Sequence, residues 1–296
     1  MAAQTLSYTS EPKFGPVYKR ILLKRRPGLK KGQRLPQYVG VWNGAQVNND
    51  RVLAYREVCR LSGTDDTLPI LYPHVLTSGM QLDMMTQPGF PISMLGAVHL
   101  RNHVLQHRPI RIEDRLDVEC SMGQERSVKQ GLEWDVNTVI TAGGAVVWEE
   151  ISTYLVRGKY GEIQEPPARA NFAELSNGQE QATWNVPAGM GRRYAKITGD
   201  YNPIHVSKIL AKLFGFKKDL VHGMWSLARC AEEYLALPDD QPQQVDVAFK
   251  GPVYMGSDVR LMVGDGGRFD LFAKGNDRPV INGTMQSKAQ GERLVK

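Results

Sequence analysis

Between Tyr194 and Trp225 the chain reads YAKITGDYNPIHVSKILAKLFGFKKDLVHGMW, a run in which carboxylates, a carboxamide and imidazoles alternate with turn and helix-start signals. Gly199-Asp200 ends one helical piece. Asn202 is a good N-cap, and Pro203 suits the first helical position because its φ is fixed and it has no N–H to leave unpaired. His205 falls in the first turn of the new helix, and Gly215 closes it after Leu213 and Phe214. The chain bends between Asp200 and His205, so both side chains can point into one space. A carboxyl and an imidazole held together in unequal environments suit general acid–base chemistry. The helix start lowers the pKa of His205 and favours a neutral, proton-accepting ring. His222-Gly223-Met224 opens a further helix, where the Gly223 N–H can receive a developing oxyanion. Capping and close packing are the plainer uses of the same residues.

The elements that must position this segment recur twice along the 296 residues. In the C-terminal half an amphipathic stretch begins at Tyr194, and KDLVHGMWSLARCAEEYLAL (218–237) has helical spacing. Its apolar face comprises Val221, Met224, Leu227, Ala228, Ala231 and Leu235. Strand-like runs follow Pro242: QVDVAFKGPV, DVRLMVGDG, RFDLFAKG and RPVINGTMQS, with a hairpin signal at Asp265-Gly266-Gly267. In the N-terminal half RVLAYREVCRL (51–61) and PHVLTSGMQLDMM (73–85) read as helices. The strands AVHLRNHVLQ, RIEDRLDVECSM, GLEWDVNTVITA and AVVWEEISTYLV come next. Leu132, Trp134, Val136, Thr138 and Ile140 alternate with polar residues, as in a half-buried antiparallel strand. Pro109-Ile110 then Asp114 resembles Pro252-Val253 then Asp258, and Tyr55 resembles Tyr194. A duplicated unit of helix followed by antiparallel strands, an α+β architecture, accounts for the length. Residues 158–181, polar and carrying Pro166-Pro167, read as a linker between an N-terminal domain (1–157) and a C-terminal domain (182–296).

With 42% hydrophobic and 23% charged residues a sizeable core is expected and disorder throughout is excluded. No run of about 18 apolar residues predicts a membrane span, and the N-terminus lacks a signal-peptide pattern, so a cytoplasmic location is expected. Cys59, Cys120 and Cys230 are too scattered for a disulfide framework or a thiolate zinc site. The net charge of +6 concentrates in residues 1–34, where Lys13, Lys19, Arg20, Lys24, Arg25, Arg26, Lys30, Lys31 and Arg34 face Glu11 alone. The run VYKRILL (17–23) within it reads as a solvated segment or a guarded edge strand, or as an anion-attracting patch. It offers no nucleic-acid reader. His99, His103 and His107 recur every four residues in a stretch of strand composition, which places all three on one side of a strand. Without cysteine or nearby acid no metal site is expected there.

The motif G-D-x-N-P-I-H at 199–205, preceded by Tyr194 and followed by HGM at 222–224, closely resembles the MaoC-like (R)-specific enoyl-thioester hydratases and dehydratases. AKLFGF (211–216) resembles that family as well. Six fixed residues in seven make the motif specific over about 30 residues, and the duplicated layout is similar to the double hot-dog members. The resemblance implies reversible hydration of trans-2-enoyl thioesters to (R)-3-hydroxyacyl thioesters, a hydro-lyase activity of fatty acid metabolism. Asp200 and His205 would be the catalytic pair, with His205 taking a proton from water and Asp200 delivering one to C2. Asn202 would hold the geometry and the Gly223 N–H would polarise the carbonyl. Tyr194, His222, Met224 and Lys218 would bind substrate, whose carrier is coenzyme A or acyl carrier protein. No metal or cofactor is implied. The N-terminal half, in which Gly63, Asp65 and Asp66 lack a following histidine, departs from the pattern, so one active site per chain is expected. Its Met80, Met84 and Met85 would line an acyl tunnel or simply pack the core. Lys208, Lys212, Lys217 and Lys218 would offer a basic approach or a solvated face. A hot-dog thioesterase and a non-catalytic acyl-thioester-binding subunit are the alternatives, and a monomer and a homodimer are equally compatible.

Overall fold

Alternation at Leu132, Trp134, Val136 and Ile140 buries those side chains to 2% exposure or less in one long strand. Its neighbours extend it into a single sheet. In chain order the strands of this computed structural model are β1 (Gln4–Tyr8), β2 (Tyr38–Ala45), β3 (Val98–Gln106), β4 (Leu116–Val128), β5 (Gly131–Ala142), β6 (Ala145–Arg157), β7 (Gln179–Asn185), β8 (Gln243–Phe249), β9 (Asp258–Val263), β10 (Arg268–Ala273) and β11 (Ile281–Ser287). The helices are α1 (Phe14–Leu23), α2 (Asn49–Cys59), α3 (Tyr72–Met84), α4 (Met190–Thr198), α5 (Pro203–Val206), α6 (Lys208–Leu213) and α7 (Gly223–Tyr234). The structure describes residues 3–24, 26–30, 32–64, 66–170, 172–234 and 241–295. Arg25, Lys31, Asp65 and Leu235 lie outside them.

The sheet order β1-β2-β4-β5-β6-β3-β8-β11-β10-β9-β7 carries the duplication. Read inward from either end, and setting β1 aside, each half runs first, third, fourth, fifth, second strand. The two halves meet where β3 pairs antiparallel with β8, at Asn102↔Val247 and neighbouring positions. Local bonds repeat too. The Leu68 N–H donates to the Ile110 carbonyl and the Val221 N–H to that of Val253, the position 143 residues further on. Each half packs a long helix, α3 or α7, against its strands, with Trp134, Trp148 and Trp225 among the largest buried side chains. This is the expected double hot-dog architecture.

The basic N-terminal stretch differs from its expected edge strand. VYKRILL lies within α1, because Val17 and Ile21, one turn apart, are the residues it buries. Arg20 pairs with Asp83, and Arg26 donates to the Thr86, Gln87 and Phe90 carbonyls, so the cations fasten α1 to the end of α3. β1 adds to the sheet as its one parallel neighbour, against β2. Met80, Met84 and Met85 are core residues, and none lines the cavity described below. Among the described residues of 158–178 there is a 3-10 turn at Ala168–Ala170 and no other helix or strand, and β7 begins at Gln179. The three cysteines are free and buried. No helix among the described residues is long and apolar enough to cross a membrane.

The histidine series is split. A β-bulge between His99 and Arg101 shifts the pairing with β6, so His99 stands opposite Tyr154 while His103 stands opposite Ile151. Those partners point to opposite faces of the sheet. His99 therefore enters the cavity, whereas His103 meets Asp246 and His107 meets Glu149 on the other face. Spacing alone placed all three together; one extra residue in the strand separates them.

Candidate active site

Glycine at three points brings the chain to the site. Gly199 ends α4 in the left-handed region at φ 78°. A Cβ there would meet the Phe14 ring of α1 at 2.1 Å. Gly191 in α4 lets α5 approach so closely that a Cβ would lie 2.0 Å from the His205 carbonyl oxygen. Gly223 opens α7 against Phe249, whose ring a Cβ would meet at 2.8 Å. The first N–H groups of a helix have no partner within it, so the Gly223 N–H stays available.

Asp200 Oδ1 accepts from the Asn202 N–H and from the Tyr18 hydroxyl, each at 3.1 Å. Asn202 caps α5 by accepting from the Ile204 N–H with its side chain. His205 Nδ1 lies 2.9 Å from the Leu220 carbonyl. A carbonyl only accepts, so that nitrogen carries the hydrogen and Nε2 carries a lone pair. His222 Nε2 lies 2.9 Å from the Asp200 carbonyl by the same logic, and its Nδ1 is buried without a partner. The His205 and His222 rings are 3.8 Å apart between centroids, and Tyr194 lies 4.8 Å from His222.

Electrostatics fixes the charge states. Burial resists ionisation of Asp200, but His222, His205, the Asn202 N–H and Tyr18 outweigh it and hold its carboxyl below the usual carboxylate range. Although hemmed in by protein, the Asp200 side chain keeps 47% exposure and lines the cavity. His205 is pushed below the ordinary imidazole range by burial and then by His222, against the pull of Asp200. His222 is lowered too, chiefly by burial. The expected depression of His205 is present, yet its causes are burial and a neighbouring ring, since α5 is only four residues long. Asp200 was expected to start as the acid; at neutral pH this environment makes it a carboxylate.

A cavity of about 370 Å³ joins these groups to Tyr194, Met224 and Gly223. Lys218 is not in its wall; its ammonium stands 6.0 Å from the Tyr254 ring centroid. A broader groove of about 860 Å³ lies beyond Gly199 between α2, α4 and residues 11–14, and it lacks Asp200 and His205. Asp200, His205 and His222 each offer an atom within 4.8 Å of the others, a trio able to grip one water or a divalent cation. Two side chains that line the cavity carried no functional signal in the sequence, Tyr18, 182 residues from Asp200, and His74 of the N-terminal half; His99, noted there only for its spacing with His103 and His107, joins them. Only tertiary structure brings them in.

Fold and site together define a hot-dog protein with a carboxylate–imidazole cavity beside a helix start. Residues 174–278 match the MaoC like domain. The chain is 31% identical over 250 residues to 3-hydroxyacyl-thioester dehydratase X of Mycobacterium tuberculosis (strain ATCC 25618 / H37Rv), covering 83% of this chain and 87% of that protein. It is 30% identical over 161 residues to peroxisomal multifunctional enzyme type 2 of Drosophila melanogaster, 51% of this chain and 25% of that one. The crystal structure of HtdX from Mycobacterium tuberculosis superposes with a TM-score of 0.72 at 30% identity, covering 84% of this chain and all of that one. The chain belongs to the MaoC-like dehydratase family, whose members are hydro-lyases.

Proposed function

We propose that this protein reversibly hydrates trans-2-enoyl thioesters to (R)-3-hydroxyacyl thioesters, with Asp200 and His205 as the catalytic pair. The observation that carries the reading is the bare Nε2 of a neutral His205 beside the Asp200 carboxylate, in one cavity with the Gly223 helix start. Neither group holds an acidic proton at neutral pH, so the proton that reaches C2 is the one removed from water. In hydration the pair takes a proton from water as its oxygen bonds to C3. The C2=C3 electrons move to C2 and the thioester oxygen, and the Gly223 N–H stabilises the enolate. The same proton then passes from the pair to C2. Dehydration reverses each step: C2 gives its proton to the pair, the C3–O bond breaks, and the proton leaves with hydroxide as water.

Asn202 holds the carboxylate through its backbone N–H and starts α5 through its side chain. Tyr194, His222 and Met224 border the reacting atoms, while Lys218, outside the cavity wall, would meet the carrier, coenzyme A or acyl carrier protein. The catalytic half begins with β7 at Gln179, three residues before the expected 182, and the N-terminal half, 1–157, supplies the facing wall. The test is the loss of enoyl absorbance with trans-2-enoyl-CoA, using wild type, Asp200→Asn and His205→Gln, with product chirality determined. Hydration to the (R)-alcohol by wild type, and a loss of about 10²-fold or more in both folded variants, is the expected result. Full activity in either variant removes that residue from the pair.

A further inference from the structure

The wall of this cavity contributed by the N-terminal half holds a buried polar cluster that the hydration chemistry does not use. His74, in the first turn of α3 and only 8% exposed, places Nδ1 2.7 Å from Glu150 Oε1. Glu150 is fully buried, and it also accepts from Asn102 Nδ2 at 2.7 Å and Gln81 Nε2 at 2.8 Å. A carboxylate so fully supplied with donors stays ionised: burial opposes it, and His74 with Asn102 outweighs burial. In turn Glu150 raises the pKa of His74 against burial. His74 thus carries a hydrogen on Nδ1 and readily holds a second on Nε2. Nε2 takes no partner among the described residues, and the side chain lines the cavity.

This cluster lies close to the reacting atoms. The His99 ring stacks on His74 at 5.5 Å and on Tyr154 at 5.1 Å, and lies 5.2 Å from Phe249, the ring packed against Gly223. One aromatic ring, Phe249, therefore lies between this wall and Gly223. A hydrogen-bond donor facing a plain hydrocarbon chain would lose its water with no replacement, which is costly when buried. Neither the capping of α3 nor core packing requires a histidine backed by a buried carboxylate at the cavity surface.

We propose that His74, held by Glu150, is a specificity-determining donor that binds an oxygen acceptor of the substrate through Nε2. The acceptor is a carbonyl or hydroxyl oxygen, either on the acyl chain beyond C3 or in the outer amide of the phosphopantetheine arm, the one farther from the sulfur. The inference rests on the cavity being the thioester site. It is tested by two ratios of kcat/KM, measured in wild type, His74→Phe (which keeps a ring to stack on His99) and Glu150→Gln. The first ratio compares trans-2-octenoyl-CoA derivatives bearing an oxo or hydroxyl group at C5 to C8 with the unsubstituted thioester. The second compares unsubstituted CoA thioesters with their N-acetylcysteamine counterparts, which lack most of the arm. Wild type is expected to favour one member of a series about tenfold or more, as a buried donor discriminates, and His74→Phe to abolish that preference. Collapse of the first ratio assigns the acceptor to the acyl chain, and collapse of the second to the arm. General damage to folding cancels in both ratios. If both are the same in wild type and both variants, the proposal is overturned. Asp200→Asn run on the same substrates separates this outcome from failure of the hydratase reading, because full activity there would place the reaction elsewhere.

Discussion

Replacing Tyr18 by Phe removes one hydroxyl and leaves the ring of α1 in place. That hydroxyl donates to Asp200 Oδ1 at 3.1 Å. A hydrogen bond to a charged group contributes about 1.5–3 kcal/mol, but this one is longer than the ~2.5–2.7 Å usual for a hydroxyl on a carboxylate. The Asp200 side chain also keeps 47% of its surface exposed, so water can take the place of the lost donor. The lower end applies, about 1–1.5 kcal/mol, which corresponds to a roughly five- to tenfold fall in kcat/KM. The sign of the pH effect is fixed as well. Tyr18 is among the groups that hold the Asp200 carboxyl down, so its loss raises the apparent pKa of the coupled Asp200–His205–His222 cluster. The acid limb of the kcat/KM profile moves to higher pH. The assay is enoyl-CoA hydration across the acid and neutral range, with thermal melting as the control for folding. A melting temperature that falls while the pH profile stays fixed would make Tyr18 a packing residue and refute the argument.

Wild-type kcat/KM should show no step near about 6.5, the free imidazole value, because both Asp200 and His205 have lowered pKa values and stay unprotonated until more acidic pH; an inflection at that value would mean a solvated, ordinary histidine is required. Stability carries the same sign for His205 and His222, both of lowered pKa: the unfolded chain takes up protons on them below about 6.5 while the folded site does not, so urea midpoints should fall as pH drops through that value. Gly223→Ala drives a Cβ to 2.8 Å from the Phe249 ring, which displaces the proposed oxyanion donor; kcat should fall about tenfold or more with the melting temperature changed much less, and unchanged kcat would argue against an oxyanion role. Gly191→Ala pushes on the His205 carbonyl from 2.0 Å and should cost about 1–3 kcal/mol of stability as an overpacking change, read as a lowered urea midpoint together with reduced turnover.

The local geometry of the candidate site was legible in the sequence. Asn202, Pro203, Gly199 and Gly223 each act within a few residues of where they stand, by capping a helix, fixing φ or opening a close approach. The alternation of Leu132, Trp134, Val136 and Ile140 in β5 was legible for the same reason. β1 and β2 were not: β2 reads YVGVWNGA, in which two glycines weaken the strand signal, and β1 finds its partner 34 residues away. VYKRILL suits a strand by composition, and only the burial of Val17 and Ile21 against the rest of the molecule selects helix. The bulge beside His99 leaves no mark in the residue types.

The division of labour between the halves follows from how their two long helices begin. α7 starts at Gly223, which exposes an N–H and admits Phe249 against the backbone. α3 starts at Tyr72, whose N–H already donates to the Pro69 carbonyl, and the Pro73 that follows has no N–H, so the start of this helix does not offer the open N–H that Gly223 does. It keeps instead a histidine side chain in the first turn, backed by Glu150, and adds α1, which brings Tyr18 to the carboxylate across the fold. Because β3 and β8 pair at the centre of one continuous sheet, these side chains reach the same 370 Å³ of space as Asp200 and His205. The N-terminal half therefore contributes wall to the cavity even though the G-D-x-N-P-I-H motif lies in the other half.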